Sequence, residues 1–485
     1  MRRAKVTLAV FLMGCGMARA ASSAGPALQQ AADLRERGDF KRAAAVLDRA
    51  LAAPDLAAAD QKQLAFQRDV LRRIKHDYSL TRDGLFKKLG ASVKNLRRRE
   101  FKQWLAAGWF DGRVIDGQTF FVDTSVKNLY FRHPELKARL LDGRDDSPEP
   151  KGRLEISRAI KQAARAQGTP YVLPHRFVCT MTVTAAHEAA PAGETVRAWL
   201  PIPRQYPFQD EFRLLSNSAP VLALAAETSP IRSVFLEQPA SPDGPTQFQI
   251  IYSYTARGVF FDLKPEKVRR ADLSDPVLAK YTREAPHVVF TDKIKKLAGE
   301  IVGTETNPML QAKAFYDWIS GNIQYSFARE YSTLTNLGDY CLEHRYGDCG
   351  QEALLFITLC RAQGIPARWQ SGWNIFPGAK DIHDWTEIWL DPYGWVPVDP
   401  WAGIYAAQYC AALTAPERVE LRDFYFGGLD YFRMAANSDH CQELDPPKKT
   451  MRSDDVDFQR GELEWTGGNI YFDHFSYSLS VEEAK

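Results

Sequence analysis

Three residues of the types that carry nucleophilic catalysis follow one another in the C-terminal half of the chain: Cys349, His383 and Asp399. A thiol becomes a strong nucleophile when a neighbouring base takes its proton, and that base needs a third group to hold its orientation. We therefore interpret Cys349 as nucleophile, His383 as base and Asp399 as the orienting carboxylate. A lone cysteine is more often a buried structural residue. The interpretation therefore depends on the elements that position all three.

The segment around Cys349 (YGDCGQEALLFITLCRAQGIPAR) reads as a turn, a helix and the start of a strand. Asp348 is a favoured N-cap for a helix that begins at Cys349, and Gly364 followed by Pro366 is a typical helix end. Apolar residues at helical spacing predict one buried face. A thiol in the first helical turn lies at the positive end of the helix dipole, which favours the thiolate. We therefore expect a reactive thiolate at Cys349.

A hairpin carries the other two residues. The turn Asp391-Pro392-Tyr393-Gly394 has a type I signature and separates two alternating segments, Trp385–Leu390 and Trp395–Val398. His383 enters one strand and Asp399 leaves the other, so both lie at the open end. A symmetric four-residue turn would pair Asp399 with Thr386 and leave His383 roughly 10 Å away along the strand. We expect a bulge, a strong twist or an irregular entry at His383 to close that distance.

Four motifs in order support a family resemblance: Tyr346–Cys349, Arg361–Arg368, His383–Trp385 and Gly394–Pro400. Together they resemble the bacterial transglutaminase-like superfamily, distant relatives of papain-like proteases, over roughly residues 285–405. Its catalytic Cys, His and Asp match Cys349, His383 and Asp399 by order and by local motif. The family commonly has alanine after the histidine, whereas this chain has Asp384.

The resemblance implies thiol-dependent acyl transfer at amide or peptide bonds, through an acyl-enzyme on Cys349. A hydrolase (peptidase or amidase) acting on a protein or peptide substrate is the favoured function, and the backbone N–H of Cys349 is a natural oxyanion donor. The alternatives are a protein cross-linking transglutaminase and a catalytically silent binding protein with the same fold. We expect no cofactor and no metal, because Cys341, His344 and Cys349 lack a fourth ligand at zinc-site spacing.

The periodicity of the chain predicts a multidomain α+β protein. The chain begins with helical spacing and one small hairpin, continues with short alternating segments, and then has helices followed by an antiparallel sheet. The predicted parts are a signal peptide (1–20), a helical N-terminal region with a small hairpin (21–141), a linker (142–170), a β-sandwich-like domain (171–270), a papain- or transglutaminase-like α+β catalytic domain (271–405) and a C-terminal extension that packs on the catalytic domain (406–485).

The first 20 residues have the pattern of an export signal, with a basic start, the short apolar run Val6–Met13 and the cleavage motif Ala18-Arg19-Ala20. Leu12-Met13-Gly14-Cys15 also resembles a lipoprotein box, so a lipid anchor at Cys15 is the alternative to simple cleavage. No other segment is long and apolar enough to span a membrane. We therefore expect an exported protein, periplasmic or extracellular, that is free or held by one lipid.

Charge gives no reason to expect a nucleic-acid partner, because the net charge is +2 and the pI about 8.0. Helix–helix–hairpin order over residues 81–124, with the basic run Lys94–Arg99, suggests a winged helix. An exported protein meets little DNA, and basic runs are usually solvated faces. Among the cysteines, Cys410 and Cys441 are one pairing that the sequence allows.

Overall fold

The computed structural model describes residues 24–141 and 150–484. The predicted export signal, the alternative anchor Cys15 and the start of the predicted linker therefore lie outside the described residues. The chain forms two compact units. One unit contains the residues up to His76 together with Gly112–Phe120, and the other contains Asp77–Asp111 and everything from Phe121 onward. The N-terminal region predicted as one body, 21–141, is thus divided between the two units.

The smaller unit is built on helices and a β-hairpin. Asp39 caps the second helix, because its side chain accepts the backbone N–H of Arg42. Gly38 takes a φ of +81°, and an added Cβ would lie only 2.7 Å from the Val114 carbonyl oxygen, so the turn requires glycine. The helices are Gly25–Glu36, Phe40–Leu51 and Ala58–Asp77, and the hairpin strands are Gly112–Ile115 and Gln118–Phe121.

The larger unit begins with a small helical cluster. Leu85, Leu89, Phe101 and Trp104 are buried together with Leu129. Its elements are the short strand Leu80–Thr81 and the helices Arg82–Gly90, Arg98–Ala106 and Ser125–Arg132. Within the segment predicted as a linker, Pro150–Gln167 is an 18-residue helix.

Two antiparallel sheets with a shared apolar core follow, as expected of a sandwich. In the first, the long strands Tyr171–Ala185 and Thr246–Phe260 pair along their length. The other members of the first sheet are Gln209–Asn217, Gly428–Leu429 and Phe475–Glu483. The second sheet contains Thr195–Pro201, Val221–Leu224, Ser233–Pro239, Glu462–Trp465 and Gly468–Ile470.

The C-terminal extension differs from the sequence interpretation. We expected all of 406–485 to pack on the catalytic domain, but Phe475–Glu483 pairs with Tyr171–Ala185 and Glu462–Trp465 pairs with Thr195–Pro201. Arg433–Asn437 instead becomes the fourth strand of the antiparallel sheet of Ala367–Asn374, Asp381–Leu390 and Gly394–Val398, called the catalytic sheet below. The partners of Glu462–Trp465 and Phe475–Glu483 lie more than 200 residues away in sequence, so local patterning could not assign them.

The remaining elements form the α+β region. Its antiparallel sheet has the order Gly394–Val398, Asp381–Leu390, Ala367–Asn374 and Arg433–Asn437. A two-stranded parallel sheet joins Gln324–Tyr325 to Tyr346–Gly347. The helices are Pro276–Lys280, Asp292–Val302, Pro308–Asn322, Leu337–His344, Cys349–Ala362, Pro400–Ile404 and Ala415–Phe424. The predicted α+β multidomain class is confirmed.

Two further observations bear on the sequence interpretation. Along the described ranges, no helix has both the length and the apolar character needed to cross a membrane. All cysteines in these ranges are free. The pairing of Cys410 with Cys441 is therefore not formed, and the two residues lie in different hydrophobic clusters.

Candidate active site

Cys349 is the first residue of the helix Cys349–Ala362, called the cysteine helix below. Asp348 caps it by accepting the Gln351 N–H, while the Gln351 side chain accepts the Asp348 N–H, which is a capping box. The sequence predicted the cap but only one buried face. The helix is buried on all sides, because it is packed between other helices and the catalytic sheet.

The Cys349 sulfur makes its hydrogen bond to Asp384, with 3.3 Å between Sγ and Oδ2. Burial raises the pKa of the Cys349 thiol well above its usual value, and Asp384, Asp348 and Glu352 raise it further. The helix dipole contributes only about 0.3–1 kcal/mol in the opposite direction. The expected resting thiolate is therefore wrong, and the thiol is neutral.

His383 and Asp399 meet because the hairpin register differs by one residue from the expected one. Thr386 pairs with Val398, not with Asp399, and the loop from Leu390 to Gly394 holds three residues. The next pair along the hairpin is therefore Trp385 and Asp399, whose side chains point to the same face of the sheet. His383 is two residues from Trp385 and so points to that face as well. The distance between His383 Nε2 and Asp399 Oδ2 is 2.8 Å. A register shift closes the gap, so no bulge at His383 is needed.

Asp399 also contacts Arg433 and the backbone of Ala402, which the sequence did not reveal. Arg433 Nη1 lies 2.9 Å from Asp399 Oδ2, and both side chains are buried. The backbone N–H of Ala402 donates to Asp399 Oδ1 at 3.0 Å. Burial by itself raises the pKa of Asp399, but the charges of His383 and Arg433 outweigh it and lower the pKa to about 2. Asp399 is therefore ionised throughout the neutral range.

The imidazole of His383 is held in its neutral form. Burial lowers the pKa of its imidazole, the carboxylate of Asp399 raises it, and Arg433 lowers it again, with a net result below the usual value. Since Nε2 is engaged by ionised Asp399, the ring carries its hydrogen there and Nδ1 is the nitrogen that can accept a proton. Gln459 Nε2 donates to the His383 carbonyl oxygen at 2.9 Å, which fixes the backbone at this position.

Cys349 and His383 line one cavity of about 520 Å³. A volume of this size suits a small ligand or a short piece of chain. Asp384, which is buried and contacts the sulfur, is not among the lining residues. The walls are rich in aromatic residues and also carry lysines and one carboxylate, namely Tyr130, Phe131, Tyr325, Phe327, Trp401, Tyr405, Tyr409, Lys127, Lys137, Lys380 and Asp381.

Sequence reasoning missed the residues that support the site from a distance. Arg433, Asp457 and Gln459 come from the C-terminal extension, for which we predicted only packing on the catalytic domain. Tyr331 donates to Asp348 Oδ1 at 2.8 Å and precedes the cysteine helix. None of these residues lies in a motif, and only the one departure from the family pattern, Asp384, gave a signal in the sequence.

No group of three or more His, Cys, Asp or Glu side chains is arranged to hold a metal ion in the part of the chain that the structure describes. Cys341 is fully buried in the core, where its pKa is raised by burial, and His344 Nδ1 contacts the Tyr340 carbonyl oxygen at 2.9 Å. Cys341 is therefore a core residue, and His344 is held by a backbone contact.

Comparison with known proteins gives a match on the central part of the chain. Residues 295–400 match the model of the transglutaminase-like superfamily. An uncharacterised protein of Haemophilus influenzae is 29% identical over 147 residues, which cover 24% of this chain and 38% of that protein. The uncharacterised protein YebA of Bacillus subtilis is 23% identical over 143 residues, covering 25% of this chain and 19% of that protein. Each match thus spans well under half of the relative.

Among solved structures, a candidate cysteine protease from Cytophaga hutchinsonii covers 65% of this chain and 91% of its own, with 18% identity and a TM-score of 0.42. The periplasmic domain of TgpA from Pseudomonas aeruginosa covers 50% of this chain and 96% of its own, with 16% identity and a TM-score of 0.27.

Proposed function

We propose that the region of residues 295–400, which matches the model of the transglutaminase-like superfamily, belongs to a thiol-dependent enzyme that hydrolyses amide or peptide bonds. The observation that carries the proposal is the buried His383–Asp399 pair, joined at 2.8 Å, in the same cavity as Cys349. A binding protein has no need of an ionised carboxylate holding one tautomer of a neutral imidazole beside a thiol.

In the first half of the reaction, the thiol proton of Cys349 passes to Nδ1 of His383 as the sulfur attacks the carbonyl carbon. The new S–C bond forms while the carbonyl electron pair moves to oxygen, and the backbone N–H of Cys349 is the proposed donor to that oxyanion. The C–N bond then breaks, and the imidazolium gives its proton to the departing amine. Asp399 stabilises the imidazolium and keeps its own charge throughout.

In the second half, water replaces the amine. Neutral His383 takes a proton from water as the oxygen attacks the thioester, and the S–C bond breaks to release a carboxylic acid and restore the thiol. In the structure the sulfur contacts Asp384 and not the imidazole. Catalytic hydrogen bonds are commonly long without substrate and shorten when it binds. Cys349 already lines the cavity, so a closer approach of the imidazole to the sulfur when substrate binds, with the Asp384 contact kept, is part of the proposal.

The cavity favours a short substrate that bears a carboxylate. Its lining contains Lys127, Lys137 and Lys380 but only one acid, Asp381. The aromatic walls offer flat apolar contacts to the rest of the substrate. We propose that a short peptide or small amide binds here, with its carboxylate near the lysines and its scissile carbonyl at Cys349.

The function is tested by chemical labelling and by product analysis. Iodoacetamide should modify Cys349 in the native protein, and His383→Ala should slow that modification. A carboxylate-bearing peptide library should yield new amino termini or ammonia, and Cys349→Ser should abolish the yield. Cys441→Ser, which changes a half-buried cysteine outside the site, is the matched control and should retain activity.

Two outcomes would change the assignment. Product that forms only when a primary amine is supplied would make the enzyme a cross-linking transglutaminase. Equal, slow alkylation of every cysteine, with no product, would leave a binding protein.

We also propose that the chain is exported, with residues 1–20 removed as a signal. Amino-terminal sequencing of protein recovered from the periplasm or medium should begin at Ala21. A mature chain that begins at lipid-modified Cys15 would show the lipoprotein alternative.

A further inference from the structure

Asp384 contacts the proposed nucleophile through its side-chain carboxyl. Its Oδ2 lies 3.3 Å from Cys349 Sγ. Asp384 is 2% exposed and is not among the residues that line the cavity. Gly350 makes room for this contact, since a Cβ there would lie 2.7 Å from Asp384 Oδ2.

The contacts around Asp384 favour its protonated form. A hydrogen bond joins its carboxyl to that of Asp457, and two adjacent carboxyls cannot both ionise cheaply in a buried site. Asp457 Oδ1 also accepts hydrogen bonds from Ser371 Oγ and from Asn437 Nδ2. Asp384 accepts a hydrogen bond as well, from Gln459 Nε2 to its Oδ1 at 2.7 Å, so donors stabilise both carboxylates. The nearby charges differ: Arg460 favours the ionised form of Asp457, whereas Asp348 disfavours the ionised form of Asp384, so the shared proton belongs on Asp384. Burial, followed by the charges of Asp457 and Asp348, raises the pKa of Asp384 accordingly.

The titratable groups that face this carboxyl come from several elements. The cysteine helix and its cap contribute Cys349 and Asp348, and the segment before them contributes Tyr331, whose hydroxyl is 3.4 Å from Asp384 Oδ2. The C-terminal extension contributes Asp457 and, behind it, the pair of Asp454 with Arg460. A neutral Asp384 therefore removes one negative charge from a site already rich in acids.

We propose that Asp384 is a further catalytic residue of this site, acting as a neutral carboxylic acid that donates a hydrogen bond to the Cys349 sulfur as it becomes a thiolate. The proposal rests on the proposed function. The thiol proton goes to His383 Nδ1, while Asp384 keeps its own proton and turns it from Asp457 to the sulfur. When the thioester forms, the sulfur is a weak acceptor and the proton turns back to Asp457. No proton is gained or lost by Asp384 over the cycle.

The test compares Asp384→Ala with Asp384→Asn by the second-order rate constant for iodoacetamide, which needs no substrate. A hydrogen bond to a charged group supports about a tenfold to hundredfold effect. We expect Asp384→Ala, which restores the residue common in the family, to react that much more slowly. Asp384→Asn keeps an N–H donor of similar shape and should stay within about threefold of the wild type.

Other results would overturn the proposal in recognisable ways. If the rate constant for iodoacetamide falls as far in Asp384→Asn as in Asp384→Ala, the carboxyl acts as an ionised base. If neither changes the rate while His383→Ala slows it, the role is structural and the proposed function stands. If His383→Ala also has no effect, the proposed function itself fails. Asp384→Asn preserves shape, so its result remains decisive if the alanine variant does not fold.

The pH dependence gives an independent readout. Because Asp384 donates only while protonated, the advantage of the wild type over Asp384→Ala should disappear as the pH rises through its elevated pKa. The ratio of Asp384→Asn to Asp384→Ala should not fall in that range, since an amide does not titrate. A wild-type advantage that persists at high pH would contradict the neutral-acid role.

Discussion

Replacing Arg433 with methionine should reveal how the base is held. Arg433 lies 2.9 Å from Asp399 Oδ2 and 3.3 Å from Asp430 Oδ2, with all three side chains buried. Removing one partner from such an ion pair leaves an uncompensated charge, which costs about 3–5 kcal/mol. We therefore expect Arg433→Met to lower the free energy of unfolding by about that much, as measured by urea titration at neutral pH.

The same substitution should change the pH dependence in a defined direction. The pKa of Asp399 is about 2, below its ordinary 3.8, so its ionised form stabilises the fold above about pH 4 and the gain is lost as the pH falls toward 2. That difference corresponds to about 2 kcal/mol. Arg433 lowers the pKa of both Asp399 and His383. Without it, the pKa of folded-state Asp399 should rise toward 3.8, so the loss of stability on acidification should be smaller and complete at higher pH, and the acidic limb of kcat/KM should also move to higher pH.

Arg158→Met is the matched control, because Arg158 pairs with Glu420 at 2.7 Å on the surface, where exposed ion pairs contribute little. It should leave both the urea midpoint and the acidic limb unchanged. The reasoning fails if Arg433→Met behaves like this control. A loss of stability without any movement of the acidic limb would leave Arg433 as a purely structural residue.

Three further substitutions test separate parts of the site. Asp399→Asn should lower kcat on a peptide substrate by roughly 10³–10⁴-fold, because the wrong imidazole tautomer is favoured, and a loss under tenfold would contradict this. Gly350→Ala places a Cβ 2.1 Å from the Tyr331 hydroxyl and should cost about 1–3 kcal/mol in thermal or urea unfolding, whereas Gly299→Ala, in a helix with open space, should stabilise by about 0.5–1 kcal/mol. Lys380→Met should raise KM about fivefold for a peptide with a free carboxylate but not for its amidated counterpart, and equal effects on both would remove the charge argument.

Local sequence chemistry was sufficient for the elements that carry the site. Asp348 and Gly364 mark the start and end of the cysteine helix, and the structure places its bounds at Cys349–Ala362. The hairpin was also predicted, but its register was not. A shift of one residue in the loop decides whether Asp399 shares a face with His383 or points away from it. Turn composition alone does not determine that shift.

Non-local contacts account for what the sequence could not supply. Arg433 reaches Asp399 as part of a strand that joins the catalytic sheet from the C-terminal extension. Asp457 and Gln459 reach Asp384 in the same way. An arginine or an aspartate in an irregular, aromatic-rich segment carries no local signal of such a role. The helix dipole was correctly placed, yet burial, which depends on the whole fold, determined the charge of the thiol.

The carboxylate beside His383 stabilises a positive charge on the imidazole, whereas the surroundings of Cys349 do not stabilise a negative charge in the resting enzyme. This difference determines how the reaction must start. On the base side, Asp399 is balanced by Arg433, so an imidazolium at His383 finds a carboxylate ready for it. Around Cys349, burial disfavours a thiolate in the resting enzyme. A resting ion pair of thiolate and imidazolium is therefore unfavourable. Proton transfer must accompany attack on the bound carbonyl, when the negative charge passes from sulfur to the oxyanion and its donors.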